Sequence, residues 1–444
     1  MVPERDVQHT NGPGLPRDLL TTAGAEAPDR SGLTLPDRVV CLVAGGGPAG
    51  VMLAYLLARS GIDVWVLEKH ADFFRDFRGD TIHPSTLNVL YELGLLDAFL
   101  ALPHTKLRTV SGQVGPDVIT LADFSLLRAR CPFIVFMPQW DFLSFLVTAG
   151  RRFPSFHISM QAEVVGLITE GDRVAGARVL VNGGVRDVRA DLVIGADGRS
   201  SVVRERAGLQ VDQFGAPMDV VWLRVPKVAG DQPQPLGRIA PGRFLVMIDR
   251  TDYWQCACSI PKGTFHDLQT RGLPSLRRDI AGVAPFLADR LEALTDWQDV
   301  KLLTVVVDRL RTWCRPGLLC VGDAAHAMSP IGGIGINLAI QDAVAAANVL
   351  VPGFASGGVT IDDLLRIERR RTWPTRVTQF VQITIQNRLI APVLRGTAPG
   401  RPFRAPWPIR LAQRLPAFRR LLARFVGLGV RPEHVGTAPF TNVP

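Results

Sequence analysis

Two short apolar runs on either side of a longer apolar segment form the most informative pattern in the chain. The run from Val39 to Ala44 predicts a buried strand, and the run from Val64 to Leu67 predicts a second one. Between them lie a cluster of glycines and an apolar segment of helix length. The pattern therefore predicts a strand, a glycine loop, a helix and a strand, in that order.

The glycines of this loop have the spacing of a dinucleotide-binding turn. Gly45 permits a tight turn after the strand, Gly47 allows the backbone to approach a pyrophosphate, and Gly50 allows the helix to pack closely on the sheet. The amides at the helix N-terminus would face the anion. Glu68 ends the second strand, at the distance where an acid accepts hydrogen bonds from ribose hydroxyls, and Lys69 follows it.

Two further turns follow predicted strands much later in the chain. Asp197 and Gly198 lie between a strand and a short helix, and Asp323 follows another apolar strand. The glycine-rich loop from Pro330 to Gly335 then opens a helix predicted from Ile336 to Leu350. Glycines allow backbone amides to approach a flat ligand, and the N-terminus of the helix favours negative charge on that ligand.

The remaining pattern predicts an α/β protein that also contains an antiparallel sheet. Residues 215–260 alternate as strands separated by proline- and glycine-rich turns, and residues 162–180 resemble a hairpin. Four other segments have helical spacing: 84–96, the stretch after Met137, 275–297 and 375–390.

Length and composition indicate a globular protein with two interleaved domains. The chain has 444 residues, 47% of them hydrophobic, which is enough for a large core. Residues 1–36 lack the apolar core of a secretory signal and are predicted to be a disordered leader. The six cysteines are scattered in apolar runs, which is typical of buried thiols in a reducing cytoplasm, and no metal site is predicted.

The formal net charge of +9 raises the question of an anionic partner. The arginines are spread along the chain without a nucleic-acid-binding motif, so we expect no nucleic-acid partner. The positive charge is instead expected to attract anionic cofactors. Near the C-terminus, leucines and phenylalanines alternate with arginines, and Pro416 is expected to split this segment into two short helices. Docking on the protein itself is the favoured interpretation, and weak peripheral contact with an anionic membrane is the alternative.

The three glycine-bearing motifs, in this order and at these separations, resemble the class A flavoprotein monooxygenases, the para-hydroxybenzoate hydroxylase-like family. The resemblance extends from Val39 to Leu350. It implies an FAD-binding domain of Rossmann type, an interleaved antiparallel-sheet substrate domain and C-terminal helices. We assign residues 37–105, 133–212 and 305–395 to the first domain, residues 106–132 and 213–304 to the second, and residues 396–444 to a C-terminal helical extension.

The resemblance also assigns roles to individual residues. It implies that Gly45, Gly47 and Gly50 hold the pyrophosphate of FAD and that Glu68 binds the adenosine ribose. The other residues expected to bind the cofactor are Lys69, Arg78, Gln139, Asp197, Gly198, Asp323, Pro330, Gly333, Gly335, Ile336 and Asn337. Ser201 and Arg204, outside this set, would complete the Asp197 motif, which in the family serves both FAD and NAD(P)H.

The chemistry implied by the family requires NAD(P)H, with NADPH the expected form, and O2. Reduced FAD forms a C4a-hydroperoxide, whose distal oxygen goes to an electron-rich carbon of the substrate. No side chain is a clear catalytic base; the candidates for a catalytic role are His83, Pro330 and Ile334, and His326 is a further candidate base. Ile334 is a departure, since related sequences commonly carry glutamine between the two glycines.

The sequence thus predicts a cytoplasmic FAD-dependent monooxygenase, a monomer or homodimer, that hydroxylates an aromatic or polycyclic, polyketide-like molecule. Apolar strand residues such as Trp222, Phe244, Val246, Ile248 and Trp254 suit such a lipophilic substrate, although alternation alone does not say which of them face it. Three alternatives stay open: a halogenase of the same fold, a flavin-dependent dehydrogenase or epoxidase, and a flavin-binding protein without turnover.

Overall fold

The computed structural model describes residues 35–74, 81–232, 234–250, 252–396, 404 and 407–439. Twelve α-helices lie in this part of the chain: α1 (Pro48–Arg59), α2 (Pro84–Glu92), α3 (Leu96–Leu100), α4 (Gln139–Gly150), α5 (Val202–Arg206), α6 (Phe265–Arg271), α7 (Leu273–Val283), α8 (Gly335–Ala355), α9 (Ile361–Ile385), α10 (Ala391–Leu394), α11 (Trp407–Ala412) and α12 (Pro416–Leu428). The predicted leader falls almost wholly on residues 1–34, outside the described residues.

The same part of the chain contains twenty strands. In chain order they are β1 (Arg38–Ala44), β2 (Val64–Leu67), β3 (Thr81–Ile82), β4 (Thr105–Leu107), β5 (Thr109–Val114), β6 (Asp117–Asp123), β7 (Ile134–Phe136), β8 (Phe156–Ser159), β9 (Ala162–Glu170), β10 (Arg173–Val181), β11 (Gly184–Gly195), β12 (Val211–Gln213), β13 (Met218–Pro226), β14 (Gly237–Ala240), β15 (Arg243–Arg250), β16 (Tyr253–Pro261), β17 (Lys301–Leu303), β18 (Asp308–Leu310), β19 (Cys314–Arg315) and β20 (Leu318–Cys320).

A largely parallel sheet forms the centre of the fold. Its strand order is β19-β20-β11-β1-β2-β8, and the β9–β10 hairpin extends it from β11. β1 pairs in parallel with both β2 and β11, and β11 pairs in parallel with β20. The core strands therefore end at the same edge of the sheet, which is the edge where ligands bind in open α/β folds.

Two apolar helices cover this sheet and supply much of the core. α1 is buried at ten consecutive positions from Ala49 to Ala58, and it packs against α8 and α4. The helical stretch 331–355 is long and apolar enough to cross a membrane by length and composition, but 78% of its most apolar window is buried inside the fold. Burial on all sides explains why α8 lacks a clear polar face.

The second sheet is mostly antiparallel and has seven strands in the order β17-β13-β16-β15-β14-β5-β6. Its strands come from two separate stretches of chain, residues 109–123 and 218–303. One face, with Val221, Leu245 and Cys256, packs against α6 and α7 in a separate hydrophobic core. The fold class predicted from the sequence is confirmed by this arrangement; the exact domain boundaries stay a prediction.

The C-terminal segment is split as expected: α11 ends before Pro416, which occupies the first turn of α12. The buried side of α12 packs on β6 and on the buried ring of Phe124. The chain then runs back along α1 and α8 as an extended strap, residues 429–439. Arg59 Nη1 donates to Thr437 O at 2.8 Å, and Asn348 Nδ2 donates to His434 O at 2.8 Å.

Two predicted helices are shorter than expected, for local reasons. The 84–96 segment is interrupted after Glu92 because Gly94 takes a positive φ of 71°, and α3 begins separately at Leu96. The 275–297 segment becomes 3₁₀-helix from Pro285 because the proline cannot donate a helical hydrogen bond.

Candidate active site

Three turns at the carboxyl edge of the parallel sheet converge on one place. They follow β1, β11 and β20, which are neighbours in the sheet. A Cβ atom on Gly45 would lie 2.4 Å from Ala196 O, so the first two turns are in contact. Arg199 Nε donates to Asp323 Oδ2 at 3.0 Å, which joins the second turn to the third. The three motifs singled out in the sequence therefore line a single site.

The glycines of the first loop divide into two kinds. Gly45 has a φ of +105° and donates its N–H to Leu67 O at 2.8 Å, and a Cβ on Gly50 would lie only 2.1 Å from Gly45 O. These two positions require glycine for protein packing. Gly47 differs, since the nearest atom of the described residues to its Cβ would be Ala196 O at 4.0 Å. The open space beside Gly47 and the amides of α1 fit a pyrophosphate.

Glu68 is buried beside this loop. Its Oε2 accepts the N–H of Gly46 at 3.0 Å, and its Oε1 accepts the N–H of His70 at 3.0 Å. The carboxylate therefore holds the glycine loop, in the position where an acid can also bind ribose hydroxyls. The ammonium of Lys69 is half-exposed and lies 4.0 Å from a Glu163 oxygen, so its partner in the protein is that carboxylate.

Asp197 uses its carboxylate to cap α5. Ser201 Oγ donates to Oδ1 at 2.5 Å and the N–H of Val203 donates to Oδ2 at 3.1 Å. Burial raises the pKa of Asp197, although these hydrogen bonds oppose the rise. Gly198 takes a φ of +84°, and within the ranges that the structure describes a Cβ on it would meet no atom within 4 Å. The Asp197 side chain thus shapes the turn, while Gly198 leaves open space beside it.

Arg204, the other polar residue of this motif, forms its contacts with other protein groups. It forms an ion pair with Asp308 at 3.1 Å, in which both side chains are largely buried, and Asp308 Oδ1 also accepts the N–H of Ala327. Arg204 Nη1 also donates to Ala324 O of the third turn at 3.4 Å, whereas the guanidinium that pairs with Asp323 belongs to Arg199, a residue that the sequence pattern did not single out.

Below the third turn lies a buried ionic network. Asp342 Oδ2 accepts hydrogen bonds from Gly322 N at 3.2 Å and from His326 Nε2 at 2.6 Å, and its Oδ1 accepts one from Arg371 Nε at 2.8 Å. Arg371 also lies 3.3 Å from Glu433 of the strap. Burial alone would raise the pKa of Asp342, but His326 and Arg371 together hold it below its ordinary value. The network fixes the turn that presents Asp323.

The loop before α8 has an open position as well. Gly332 and Gly333 have positive φ angles, and a Cβ on Gly333 would lie 2.4 Å from Thr81 Oγ1, which donates to Gly333 O at 2.8 Å. A Cβ on Gly335 would meet no atom of the described part of the chain within 4 Å. Gly335 therefore leaves space at the N-terminus of α8, where amides can face a flat ligand that carries negative charge.

Asn337 is buried behind this loop, and its amide is occupied by the protein. Its Oδ1 accepts the N–H of His83 at 2.8 Å and the hydroxyl of Thr86 at 2.7 Å, and its Nδ2 donates to Thr81 O at 3.2 Å. This side chain ties the loop to β3 and α2. Its predicted contact with the cofactor stays a prediction.

His83 is fully buried at the start of α2. Its Nδ1 donates to Val426 O of α12 at 2.7 Å, so Nε2 is the unprotonated nitrogen, and it has no hydrogen-bond partner among the described residues. Burial lowers the pKa of His83 to about 4. Ile334 and Ile336 are also buried, and Pro330 is half-buried beside them.

A polar corner lies at the start of α4. Gln139 is the first residue of the helix, and Asp141 lies close enough to Arg250 for their charges to interact. Burial raises the pKa of Asp141, while Arg250 opposes the rise. Arg250 Nε donates to Gln255 Oε1 at 2.9 Å. Arg250 and Gln255 were not predicted from the sequence, where a polar residue within an apolar strand is the signal that marks them. Arg78 lies outside the described residues.

The second sheet turns its other face towards α9. Cross-strand pairing places Val246 opposite Ala257 and Ala257 opposite Trp222. This face also carries Val220, Phe244 and Ile248, and it contacts Ile383 of α9. Trp254 lies on the opposite face, where its ring packs at 6.2 Å from Phe286. Of the five apolar residues considered for the substrate wall, Trp254 therefore does not share a face with the other four.

Comparison with known proteins agrees with this geometry. A family model described as an FAD binding domain matches residues 38–372. A 6-methylpretetramide 4-monooxygenase from Streptomyces rimosus is 35% identical over 393 residues, 87% of this chain and 91% of that protein.

Solved structures share the fold. p-Nitrophenol 4-monooxygenase from Pseudomonas putida DLL-E4 has a TM-score of 0.71 at 21% identity, covering 89% of this chain and 100% of that one. Anhydrotetracycline hydroxylase OxyS from Streptomyces rimosus has a TM-score of 0.70 at 23% identity, covering 90% of this chain and 78% of that one. With the glycine loop, the convergent turns and the family match, the chain belongs to the FAD-binding class A flavoprotein monooxygenases.

Proposed function

We propose that this enzyme hydroxylates a polycyclic aromatic compound of the polyketide type, with NAD(P)H as the electron donor. The observation that carries the proposal is the apolar face of the second sheet, which carries Trp222, Phe244, Val246 and Ile248 and has a polar corner at Arg250 and Gln255. The name of the relative that is 35% identical supports the same substrate class.

The chain's own residues bind and orient the reactants. Gly47 and Gly335 leave space for the cofactor, and the N-terminus of α8 stabilises negative charge beside the loop. FAD held beside Gly47 and Gly335 would supply the redox chemistry that couples oxidation of NAD(P)H to insertion of one oxygen atom of O2 into the product, with the other atom released as water. The apolar sheet face excludes bulk water, and the polar corner offers hydrogen bonds to hydroxyl or keto groups of the substrate.

The direct test measures oxygen transfer by the purified, yellow protein. We expect a polycyclic phenol such as 6-methylpretetramide to accelerate NADPH oxidation, and we expect one atom of ¹⁸O from ¹⁸O2 in the product. NADH serves as the comparison donor. Product that lacks ¹⁸O would contradict hydroxylation and indicate a dehydrogenase. Acceleration by small phenols but not by polycyclic compounds would contradict the substrate class.

A pair of valine variants tests the substrate wall. Val246→Phe narrows the proposed pocket, whereas Val185→Phe adds the same bulk at a strand position that is 59% exposed. We expect the first variant to raise KM for the polycyclic substrate at least tenfold while the FAD content stays unchanged. The second variant should match the unaltered enzyme. Equal KM values for both variants would remove the sheet face from the proposed pocket.

A further inference from the structure

The positive charge of this protein is concentrated near its C-terminus. Residues 369–432 contain 14 arginines and no lysine, aspartate or glutamate. The whole chain has 50 basic and 41 acidic residues, so the remainder has 36 basic against 41 acidic ones and a net charge of −5. A charge asymmetry of this size indicates an anionic partner for the C-terminal part.

The arginines of residues 407–428 fall into two groups. Arg419 lies 3.8 Å from Asp123 and helps to hold α12 on the protein. Arg410, Arg414, Arg420 and Arg424 are exposed, and none of them has an ion-pair partner in the described part of the chain. Four guanidinium groups on α11, α12 and the linker between them therefore face solvent, without compensating charge from the residues that the structure describes.

Large apolar side chains are exposed among these arginines. The exposed fractions are 73% for Trp407, 55% for Leu411, 56% for Leu415 and 63% for Leu421. A half-open groove of about 440 Å³ runs between α12 and the turn at 127–128, and Leu421 forms part of its wall. The opposite side of α12 is buried at Ala423 and Gly427, so these exposed residues are not needed for docking on the protein.

We propose that the exposed surface of residues 407–428, here called the basic face, binds an anionic lipid bilayer. Guanidinium groups pair with lipid phosphates, and long apolar side chains with a tryptophan enter the boundary between headgroups and acyl chains. A nucleic acid would neutralise the arginines but would leave the leucines in water. An acidic protein is the competing partner, and the experiment separates the two.

The test measures co-sedimentation of the FAD-loaded protein with vesicles. One set of vesicles is pure phosphatidylcholine, and the other contains about a third phosphatidylglycerol. We expect binding to the anionic vesicles only, weakened by salt. The triple variant R414Q/R420Q/R424Q should bind roughly a hundredfold more weakly, because each basic residue near an anionic bilayer contributes a factor of about five. The variant L415S/L421S should bind at least tenfold more weakly at the same charge.

The matched control removes three exposed arginines from elsewhere, in R151Q/R152Q/R278Q. It should bind within twofold of the unaltered protein. The proposal is overturned if the unaltered protein ignores anionic vesicles, or if this control loses as much binding as R414Q/R420Q/R424Q. It is also overturned if L415S/L421S binds normally while poly-glutamate competes fully, since that combination identifies an acidic polypeptide as the partner. All variants must retain FAD absorbance, and the result does not depend on the substrate.

Discussion

The Gly47→Ala variant separates binding of the cofactor from folding of the protein. Gly47 has φ −76° and ψ 179°, which alanine adopts without strain, and among the described residues the added Cβ would meet no atom nearer than 4.0 Å. We therefore expect the free energy of unfolding of the FAD-free protein to change by less than about 1 kcal/mol.

The effect on FAD should be much larger. The new methyl group occupies the space proposed for the pyrophosphate, and it would move the phosphate oxygens away from the amides of α1. Hydrogen bonds to charged groups contribute about 1.5–3 kcal/mol each. Since 1.4 kcal/mol is a factor of ten in affinity, loss of one such bond should raise the Kd for FAD by about ten- to hundredfold.

The assay titrates FAD into the deflavinated protein and follows flavin fluorescence, with circular dichroism as the measure of folding. Gly184→Ala is the matched control, because its Cβ would also meet its nearest protein atom at 4.0 Å, on a hairpin away from the site. Gly50→Ala is the opposite control, since its Cβ would lie 2.1 Å from a carbonyl oxygen, and it should damage the fold itself. An unchanged Kd for Gly47→Ala would refute the placement of the pyrophosphate.

Three more predictions follow from the same structure. Asp323→Ala should lower the FAD content, read from the flavin absorbance, because it removes the acid that Arg199 presents at the site; unchanged content would count against this role. Glu433→Gln should lower the free energy of unfolding in urea by about 2–4 kcal/mol, because it removes a negative charge that neutralises the buried guanidinium of Arg371. Glu292→Gln, at an exposed ion pair, should lower the free energy of unfolding by less than about 1 kcal/mol. The pKa of His83 is about 4 in the folded protein and about 6.5 in the unfolded chain, so the free energy of unfolding should fall by about 3 kcal/mol as the pH is lowered from 6.5 to 4. His83→Asn should flatten this fall, and an unchanged slope of the free energy of unfolding against pH would contradict the prediction.

The elements that position the cofactor were predictable because their signals are local. The apolar runs ending at Ala44 and Leu67 and the spacing of Gly45, Gly47 and Gly50 require no knowledge of distant contacts. The structure confirms the strand, loop, helix and strand that they predict. Of these three glycines, Gly47 alone has space for a ligand at its Cβ position among the described residues. At Gly45 and Gly50 that position is filled by protein atoms that folding brings close.

The roles of polar residues near the loops were harder to predict. Asp197 and Asn337 have the residue types that bind a cofactor, but the same oxygens and amides can form hydrogen bonds with other groups of the protein instead. In the structure, the carboxylate of Asp197 caps α5, and the amide of Asn337 joins β3 to the loop before α8. A sequence shows which groups can form hydrogen bonds, whereas the partner depends on which backbone atoms the fold places within reach.

The face of the second sheet also depended on tertiary contacts. Trp222 and Trp254 are both aromatic residues in alternating strands, so the pattern alone gives them equal standing. The pairing of Trp222 with Ala257 and of Trp254 with Val225 places them on opposite faces. One face is covered by α6 and α7, and the other meets α9.

One acidic residue of the strap after α12 stands out in the sequence. Glu433 is the first acid after Glu368, in a stretch otherwise populated by arginines. A single carboxylate among many arginines is expected to form an ion pair with one of them. In the structure, Glu433 is buried against Arg370 and Arg371. Because Arg371 also binds Asp342, the strap reaches the turn that carries Asp323. Arg410, Arg414, Arg420 and Arg424 of the basic face have no such acid nearby among the described residues, and for this reason we look for their counter-charge outside the chain.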